Sequence, residues 1–401
     1  MVVVPKIPQD ITDEISDLLA ADSDFQSLQS CALLSKSWIQ SCRRHLFRIA
    51  VFTSRNAARW FKTFPEPENS PAHHVRVLCV RIGGADCVPD RFFEYILWFT
   101  DVVKVYLLGH GSVGSSLRPS LWRLPQSITS LTIDTSVFAL VQVWEIMAQL
   151  PNLDDLSLSG SHSPVRQGVL ISPEIGMPLR GRFGGRLVLS SGWSGKGVIG
   201  KLLEVPSGLR FTEVEISSTR SSLLSAVSLV EACSKTLVKL SQTVYFLGKP
   251  FPLLPVQLVL VHETLTVKQF PDVDRRETFK RSFDFSKSPN LQEVTLICKV
   301  VGATHGGLPW LPMSLSTLKP ATSTHLSTIR LDFSYSHSFT RPAETLTEST
   351  GDDLRRVADE AFRIEREFEG AVHLTTHRDA QFEVVFGILN VRFRCVASWS
   401  R

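Results

Sequence analysis

The feature that most constrains the fold is a short apolar pattern that recurs along most of the chain. It places three apolar residues in the order apolar-x-x-apolar-x-apolar, and clear copies begin at residues 75, 102, 128 and 153, an interval of about 26 residues. Further copies begin at 211, 291 and 326, and weaker copies lie at 186–189, 237–240 and 265–267. The last two apolar residues of each copy are two positions apart, so they share one face of a β-strand. We therefore expect one strand per copy, with a return segment leading to the next copy.

The segments between the copies have helical patterns. We predict helices over 90–99, 138–150, 197–205, 221–237 and 277–285, and a proline often precedes the next copy, at Pro125, Pro151, Pro206 and Pro289. A proline ends a helix and favours an extended backbone. The alternation predicts an α/β fold with parallel strands, and it accounts for the high leucine content, 49 of 401 residues.

Composition and charge exclude several classes of protein. The 43 lysines and arginines barely exceed the 39 aspartates and glutamates, which is too small an excess for a protein whose main affinity is for nucleic acid. The seven cysteines contain no Cys-x-x-Cys pair, so neither a disulfide framework nor a zinc site is indicated, and a reducing compartment is expected. No apolar stretch approaches the length of a membrane span, and the first residues lack a secretory signal. We expect a soluble chain in the cytoplasm, the nucleus or both, with no nucleic-acid or membrane partner.

Residues with catalytic chemistry are sparse. Gly109-His-Gly-Ser-Val-Gly114 follows a predicted strand and Asp134 ends another, which is the order of a dinucleotide-binding fingerprint. Only 13 residues separate Gly114 from Ile128 and two prolines interrupt them, so no crossover helix fits there. The tripeptide at 377–379 lacks the other motifs of a kinase. We expect no enzyme activity, no cofactor and no metal site, and we keep an oxidoreductase built on the glycine motif as a hypothesis to be tested.

The first fifty residues follow a different pattern. Ile11, Ile15 and Leu18 recur at helical spacing opposite acidic residues, and Pro8 suits the opening turn of a helix. Two more short helical segments follow before residue 48. Three helices of this size have too little interior to bury all their apolar side chains. Part of this apolar surface is therefore expected to face a partner or the following domain.

These residues resemble an F-box, in particular the F-box of fungal proteins with a leucine-rich remainder. The resemblance covers residues 5 to about 48, through Ile7-Pro8, the run Leu33-Leu34-Ser35-Lys36-Ser37-Trp38 and Arg44-His45-Leu46-Phe47. Isoleucine stands where the family commonly has leucine before the proline, and Lys36 stands where arginine is frequent. The resemblance implies docking on a Skp-type adaptor of a cullin-RING ubiquitin ligase. The adaptor-binding residues that it implies are Ile7, Pro8, Ile11, Ile15, Leu18, Leu28, Leu33, Leu34, Lys36 and Trp38. The alternative is that the three helices only cap the end of a larger domain.

The repeats resemble leucine-rich repeats in their period and core pattern, although the expected Asn or Cys is missing after Leu158. The predicted architecture is α/β: an N-terminal three-helix F-box (5–50), a connecting helix and linker (51–74), a degenerate leucine-rich-repeat solenoid with parallel strands and return helices (75–340), and an α+β C-terminal cap (341–401). The cap contains a predicted helix at 352–368 and strands around 382–386 and 391–395. The resemblance implies a substrate-recognition subunit whose solenoid binds a protein client for ubiquitination. The alternative is a non-catalytic leucine-rich-repeat scaffold that joins no ligase.

The residues between the strand apolars would point to the open, concave face of such a solenoid. In the central copies they include Asp155, Glu213, Glu215 and Glu293, with few opposing charges. We predict that these four residues form an acidic patch that binds a basic segment of the client. A solvated polar face without a partner is the alternative interpretation.

Overall fold

The computed structural model describes residues 7–82, 90–109, 122–135, 138, 140–159, 179, 181–190, 196–219, 222–247, 283–301, 310–322, 324–326, 328–336, 356, 359–360, 363, 367, 373–376 and 392–400. The chain divides into two compact units, residues 1–183 with 205–207, and residues 184–204 with 208–401. Both units combine helices with parallel strands, so the predicted α/β class is confirmed.

The first unit begins with three helices, α1 (Gln9–Ala21), α2 (Phe25–Leu34) and α3 (Lys36–Leu46). The turn after α1 passes through Ser23, whose backbone lies in the left-handed region (φ 60°). Asp24 then caps α2 by accepting a hydrogen bond from the Ser27 amide (3.0 Å). The three helices expected from the apolar spacing are confirmed.

The helices lead into parallel strands. The elements that follow are β1 (Ile49–Phe52), α4 (Ser54–Thr63), β2 (Val77–Arg81), β3 (Lys104–Gly109), β4 (Ser130–Thr135), α5 (Leu140–Ala148) and β5 (Asp155–Ser159). β1 to β5 pair in sequence order, each parallel to the next. The helix predicted over 138–150 is confirmed by α5.

The apolar positions of the repeated pattern form the core of these strands. Leu78, Val105, Leu131 and Leu156 stand side by side in register and are at most 1% exposed. The other two apolar positions are equally buried, at Val75, Val102, Ile128 and Leu153 and at Val80, Leu107, Ile133 and Leu158. Each such side chain contributes about 1.5–3 kcal/mol by leaving water. The face predicted to be buried is therefore confirmed in these copies.

A backbone contact that recurs between copies fixes their register. The Arg76 carbonyl accepts hydrogen bonds from the amides of Val103 and Lys104 (2.9 and 3.1 Å), and the Val103 carbonyl accepts from Thr129 and Ser130 (2.9 and 3.0 Å). Within the second unit the same arrangement occurs at the carbonyls of Gly185, Thr212 and Val238. One carbonyl thus satisfies two successive amides at the start of the next strand.

Aromatic rings hold α4 against β1. The Trp60 ring packs edge-on to Phe52 (centroids 5.3 Å apart) and to Phe47 (5.8 Å), and Phe52 in turn packs on Phe92 and Phe99 (5.0 and 5.6 Å). Such pairs add to the free energy gained by burial alone. β1 is therefore anchored from its buried side.

The second unit continues the same order of elements. Its elements are β6 (Arg186–Leu189), α6 (Lys196–Leu203), β7 (Glu213–Thr219), α7 (Leu223–Cys233), β8 (Lys239–Leu247), β9 (Glu293–Val301), α8 (Trp310–Leu315), β10 (Thr328–Ser336), β11 (His373–Thr376) and β12 (Arg392–Ser400). β6 to β10 pair in parallel and in sequence order. β12 then pairs antiparallel with β10, and β11 with β12. α6, α7 and β12 confirm the elements predicted over 197–205, 221–237 and 391–395.

The described helical residues near 360 contact the end of α8. Arg363 Nη2 donates to the carbonyl of Leu315, the last residue of α8, and to that of Leu318 just beyond it (3.1 and 3.2 Å). The Arg363 guanidinium also pairs with Glu360 (2.7 Å) and with Glu367. These contacts account for part of the charged face of the helix predicted at 352–368.

The parallel strands begin earlier than the repeated pattern predicted. β1 lies at Ile49–Phe52 and pairs with β2, whereas the pattern was recognised only from residue 75. Its two inward positions are Ala50 and Phe52, and an alanine gives a weak apolar signal.

Two return segments also differ from the prediction. Residues 90–99 form two short 3-10 helices, Asp90–Glu94 and Ile96–Trp98. The segment contains five closely spaced aromatic side chains, all of them packed against other rings, and aromatics favour a helix less than straight side chains do. β8 pairs directly with β9, so the copy predicted at 265–267 does not stand between them. That copy, residues 277–282 and the strand predicted at 382–386 lie outside the described residues.

Candidate functional site

The three N-terminal helices share a small core. Leu28 of α2 and Trp38 and Cys42 of α3 are buried in it, and partly buried apolar residues of all three helices pack around them. Burial raises the pKa of the Cys42 thiol, which fits a structural cysteine. Leu28 and Trp38, both among the predicted adaptor-binding residues, therefore hold the helices together and are not available for contact.

The side of α1 that packs on α3 is polar. Thr12 and Ser16 are the buried residues of α1, and the Ser16 hydroxyl lies 3.7 Å from the Cys42 sulfur. Gln9 Nε2 donates to the Ser41 hydroxyl (2.8 Å), and Ser41 donates to Asp13. Hydrogen bonds thus join α1 to α3, in addition to the packing of Leu19 and Ala20 on the apolar core.

Charged contacts extend this polar interface. Asp17 Oδ1 pairs with Arg44 (2.7 Å) and lies 2.8 Å from His45 Nε2. Hydrogen bonds from Ser41 and Gln9 hold the pKa of the Asp13 carboxyl below its ordinary value of 3.8, so it stays ionised at neutral pH. The residues opposite the apolar stripe of α1 thus face α3.

The apolar stripe of α1 faces solvent. Ile11 and Ile15 are 41% and 37% exposed and Leu18 is 60% exposed, although a helix in a globular protein ordinarily buries such a stripe. At the end of α2, Leu33 is 87% exposed, and the remaining predicted docking residues, Ile7, Pro8, Leu34 and Lys36, are exposed as well. Eight of the ten residues predicted for adaptor binding are therefore accessible.

The predicted client residues of the second unit lie in ion pairs. Register places Arg186, Glu213, Lys239 and Glu293 in one row across β6 to β9. Arg186 pairs with Glu215 (2.8 Å) and approaches Glu213 (4.0 Å), and Lys239 pairs with Glu293 (3.1 Å). The expectation of few opposing charges was wrong at these three glutamates, because strand register brings basic residues from neighbouring copies beside them.

The outward-facing residues of the first unit's strands are polar on β4 and β5 and apolar on β1. Asp155 stands on β5 beside Ser130 of β4, and the next row is Thr132 and Ser157, all partly exposed. On β1 the corresponding residues are Ile49 and Val51, which are 61% and 50% exposed. The sequence analysis missed this apolar end because it did not recognise β1. The continuous apolar run Ile49-Ala-Val-Phe52 was the signal that could have found it.

Other candidate chemistry finds no support in the described part of the chain. No group of three His, Cys, Asp or Glu side chains there could hold a metal ion. Cys31, Cys42, Cys79 and Cys233 are free thiols. Residues 110–121, which include most of the glycine motif, and residues 377–379 lie outside the described residues. Among the described helices, none combines the length and the apolar character that a membrane crossing requires.

Comparisons with models of protein families and with curated proteins found no match to this chain.

Proposed function

We propose that the chain is a substrate-recognition subunit of a Skp-cullin-F-box ubiquitin ligase. In this proposal α1 to α3 dock on the Skp-type adaptor, and the strands and helices that follow form a leucine-rich-repeat-like solenoid that binds a protein client. The chain performs no chemistry itself. It raises the effective concentration of the client near the ubiquitin-charged enzyme.

The orientation of α1 carries the proposal. Its polar side, with Thr12 and Ser16, packs on α3, while Ile11, Ile15 and Leu18 face solvent. Exposing three large apolar side chains to water has a free-energy cost, and a partner that covers them removes it. An exposed apolar surface on the three N-terminal helices is what docking on an adaptor, as implied by the F-box resemblance, requires.

The regular order of strands supports the solenoid part of the proposal. Within each unit, successive parallel strands are linked by the repeated carbonyl contacts at the strand starts. Their inward rows are apolar and buried. Repeats that contact mainly their neighbours are typical of client-binding solenoids.

Co-purification of the full chain with a Skp-type adaptor tests the proposal. We expect the wild-type chain to retain the adaptor and the double variant Ile11→Asp with Ile15→Asp to bind it at least about a hundredfold more weakly, because two buried contacts become charged. The melting temperature should stay close to the wild-type value, since both side chains are exposed in the free chain.

The control is Glu14→Ala, which removes an exposed charge beside the apolar stripe and leaves its three apolar side chains in place. It should retain the adaptor. A wild-type chain that fails to co-purify with the adaptor, or a double variant that still binds it, would contradict the proposal and favour a scaffold that joins no ligase.

A further inference from the structure

We infer that the open face of β1 to β3 binds an extended client segment in which apolar side chains alternate with acidic ones. The inference rests on the proposed function, because it names the class of client and the place where it docks. It differs from the acidic patch predicted from the sequence in both position and charge preference.

The apolar part of this face is formed by the outward residues of three adjacent strands. Ile49 stands beside Val77, and Val51 stands beside Cys79, which in turn stands beside Tyr106 of β3. Ile49 and Val51 are at least half exposed, and the other three are partly exposed. On β4 and β5 the same rows carry serine, threonine and aspartate. The apolar surface is therefore confined to β1, β2 and β3.

The charges around this surface are positive. Lys104 adjoins Val77 in the first row, and Arg81 continues the outward face of β2 beyond Cys79; both are exposed, and neither is paired with a described acidic residue. The surrounding sequence, residues 36–82, contains nine lysines and arginines and two acidic residues, and of these basic residues Arg44 pairs with Asp17 and Arg76 with Asp101. A segment that carries carboxylates beside its apolar side chains complements this surface, and complementary charge also speeds its association.

The face, rather than the edge, of β1 is the docking surface. Asn56 Nδ2 donates to the Val51 carbonyl (2.6 Å), so a backbone acceptor that an added strand would need is already occupied. Aliphatic side chains such as Ile49 and Val51 match apolar side chains of a peptide. Single-stranded nucleic acid binds through stacking on aromatic rings, and Tyr106 is the aromatic residue on this part of the face.

Binding of short fluorescein-labelled peptides to the full chain, followed by anisotropy, tests the inference. The probes are a peptide that alternates leucine with aspartate, one that alternates leucine with lysine, and one that alternates serine with aspartate. We expect the leucine–aspartate peptide to bind about tenfold or more tightly than either of the others, because it alone satisfies both the apolar and the basic part of the face. Equal binding of the three peptides would overturn the inference.

Variants locate the site. Val51→Asp should weaken binding of the leucine–aspartate peptide about tenfold or more, and Lys104→Glu should weaken it and reduce its dependence on salt. The matched control, Ser157→Asp, puts the same carboxylate in the same row of the face on β5 and should leave the affinity unchanged. A Val51→Asp chain that binds the peptide as tightly as the wild type would overturn the inference. A single-stranded oligonucleotide that displaces the peptide, and that binds the wild type and the Val51→Asp variant equally, would also overturn it.

The adaptor experiment separates this inference from the proposed function. Val51→Asp should still co-purify with the Skp-type adaptor, since Val51 lies outside α1 to α3. A chain that prefers the leucine–aspartate peptide but binds no adaptor would refute the proposed function and leave the docking surface in place. A chain that binds the adaptor but shows no peptide preference would refute the proposed docking surface and leave the proposed function in place.

Discussion

His74 is a partly buried histidine whose ring contributes to the pH dependence of stability. Burial, then His73 and Arg43, lower its pKa from 6.5 to about 4, with a smaller contribution of the same sign from Arg44 and an opposing one from Asp101. Its buried Nε2 has no hydrogen-bond partner within the described part of the chain. The ring is therefore neutral at neutral pH, packed against His73 with centroids 4.0 Å apart.

We predict that the chain loses stability as the pH falls from 6.5 toward 4. In that window the unfolded chain protonates this histidine and the folded chain does not, so acid favours unfolding. His74→Gln should show a smaller drop in melting temperature between neutral pH and about pH 5. His73→Gln leaves the buried ring in place but removes one of the charges that lower its pKa, so its drop should lie between those of the wild type and His74→Gln. An identical drop in all three chains would show that His74 does not contribute.

Two of the three leucines of α2, Leu28 and Leu33, have opposite environments. Leu28 is fully buried in the core of the three helices, and Leu33 is 87% exposed. The pattern of apolar spacing alone ranks the two residues equally, since both are leucines on a short apolar helix. Their different roles follow from the packing of α2 on α3.

We predict that Leu28→Ala lowers the free energy of unfolding by about 2–5 kcal/mol because it leaves a cavity, whereas Leu33→Ala changes it by less than about 0.5 kcal/mol. At temperatures where both variants are folded, Leu33→Ala should weaken adaptor binding and Leu28→Ala should leave it unchanged. Urea denaturation and adaptor affinity measure the two effects. Similar destabilisation by both variants would mean that α2 packs differently.

The elements were predictable to the extent that their signal is local. The period-two burial of β2 to β5 follows from their apolar alternation. α5 and α6 follow from helical spacing before a proline, and α7 follows from helical spacing alone. β1 was missed because Ala50 is a weak apolar signal, and residues 90–99 were misassigned because aromatic packing overrides the helical pattern. In each case tertiary contacts, and not the local sequence pattern, determined which secondary structure formed.

At the scale of the whole molecule, the net charge of +4 conceals an uneven distribution. Residues 36–82 are strongly basic, and strand register in the second unit pairs Arg186 and Lys239 with neighbouring glutamates. These pairs lie in solvent, so each contributes little to stability. Their main effect is to neutralise the face on which the acidic patch was predicted.

We predict that Glu215→Gln lowers the free energy of unfolding by less than about 1 kcal/mol, because both members of its pair with Arg186 are about half exposed. Ser217→Ala, on the same strand, is the control, and urea denaturation at low and high salt is the measurement. A larger loss that persists in high salt would mean that the pair is more than a surface contact.

The acidic-patch prediction has its own test in the same region. If Glu213 and Glu215 bind a basic client segment, the double variant Glu213→Lys with Glu215→Lys should abolish its capture. Unchanged capture would contradict the prediction and be consistent with recognition on β1 to β3. The two client sites are thus distinguishable with one panel of variants.

The sequence by itself determined the α/β class, the interval of the repeats, the inward residues of β2 to β5 and the presence of three amphipathic helices at the N-terminus. These features follow from periodicity, which depends only on which residues lie near one another along the chain. Only the tertiary structure decided which side of α1 faces solvent, which charges stand beside Glu213, Glu215 and Glu293, and that β1 extends the sheet with an apolar face. Those outcomes depend on contacts between residues far apart in the sequence. Packing and strand register determine these contacts, and the local periodicity does not specify them.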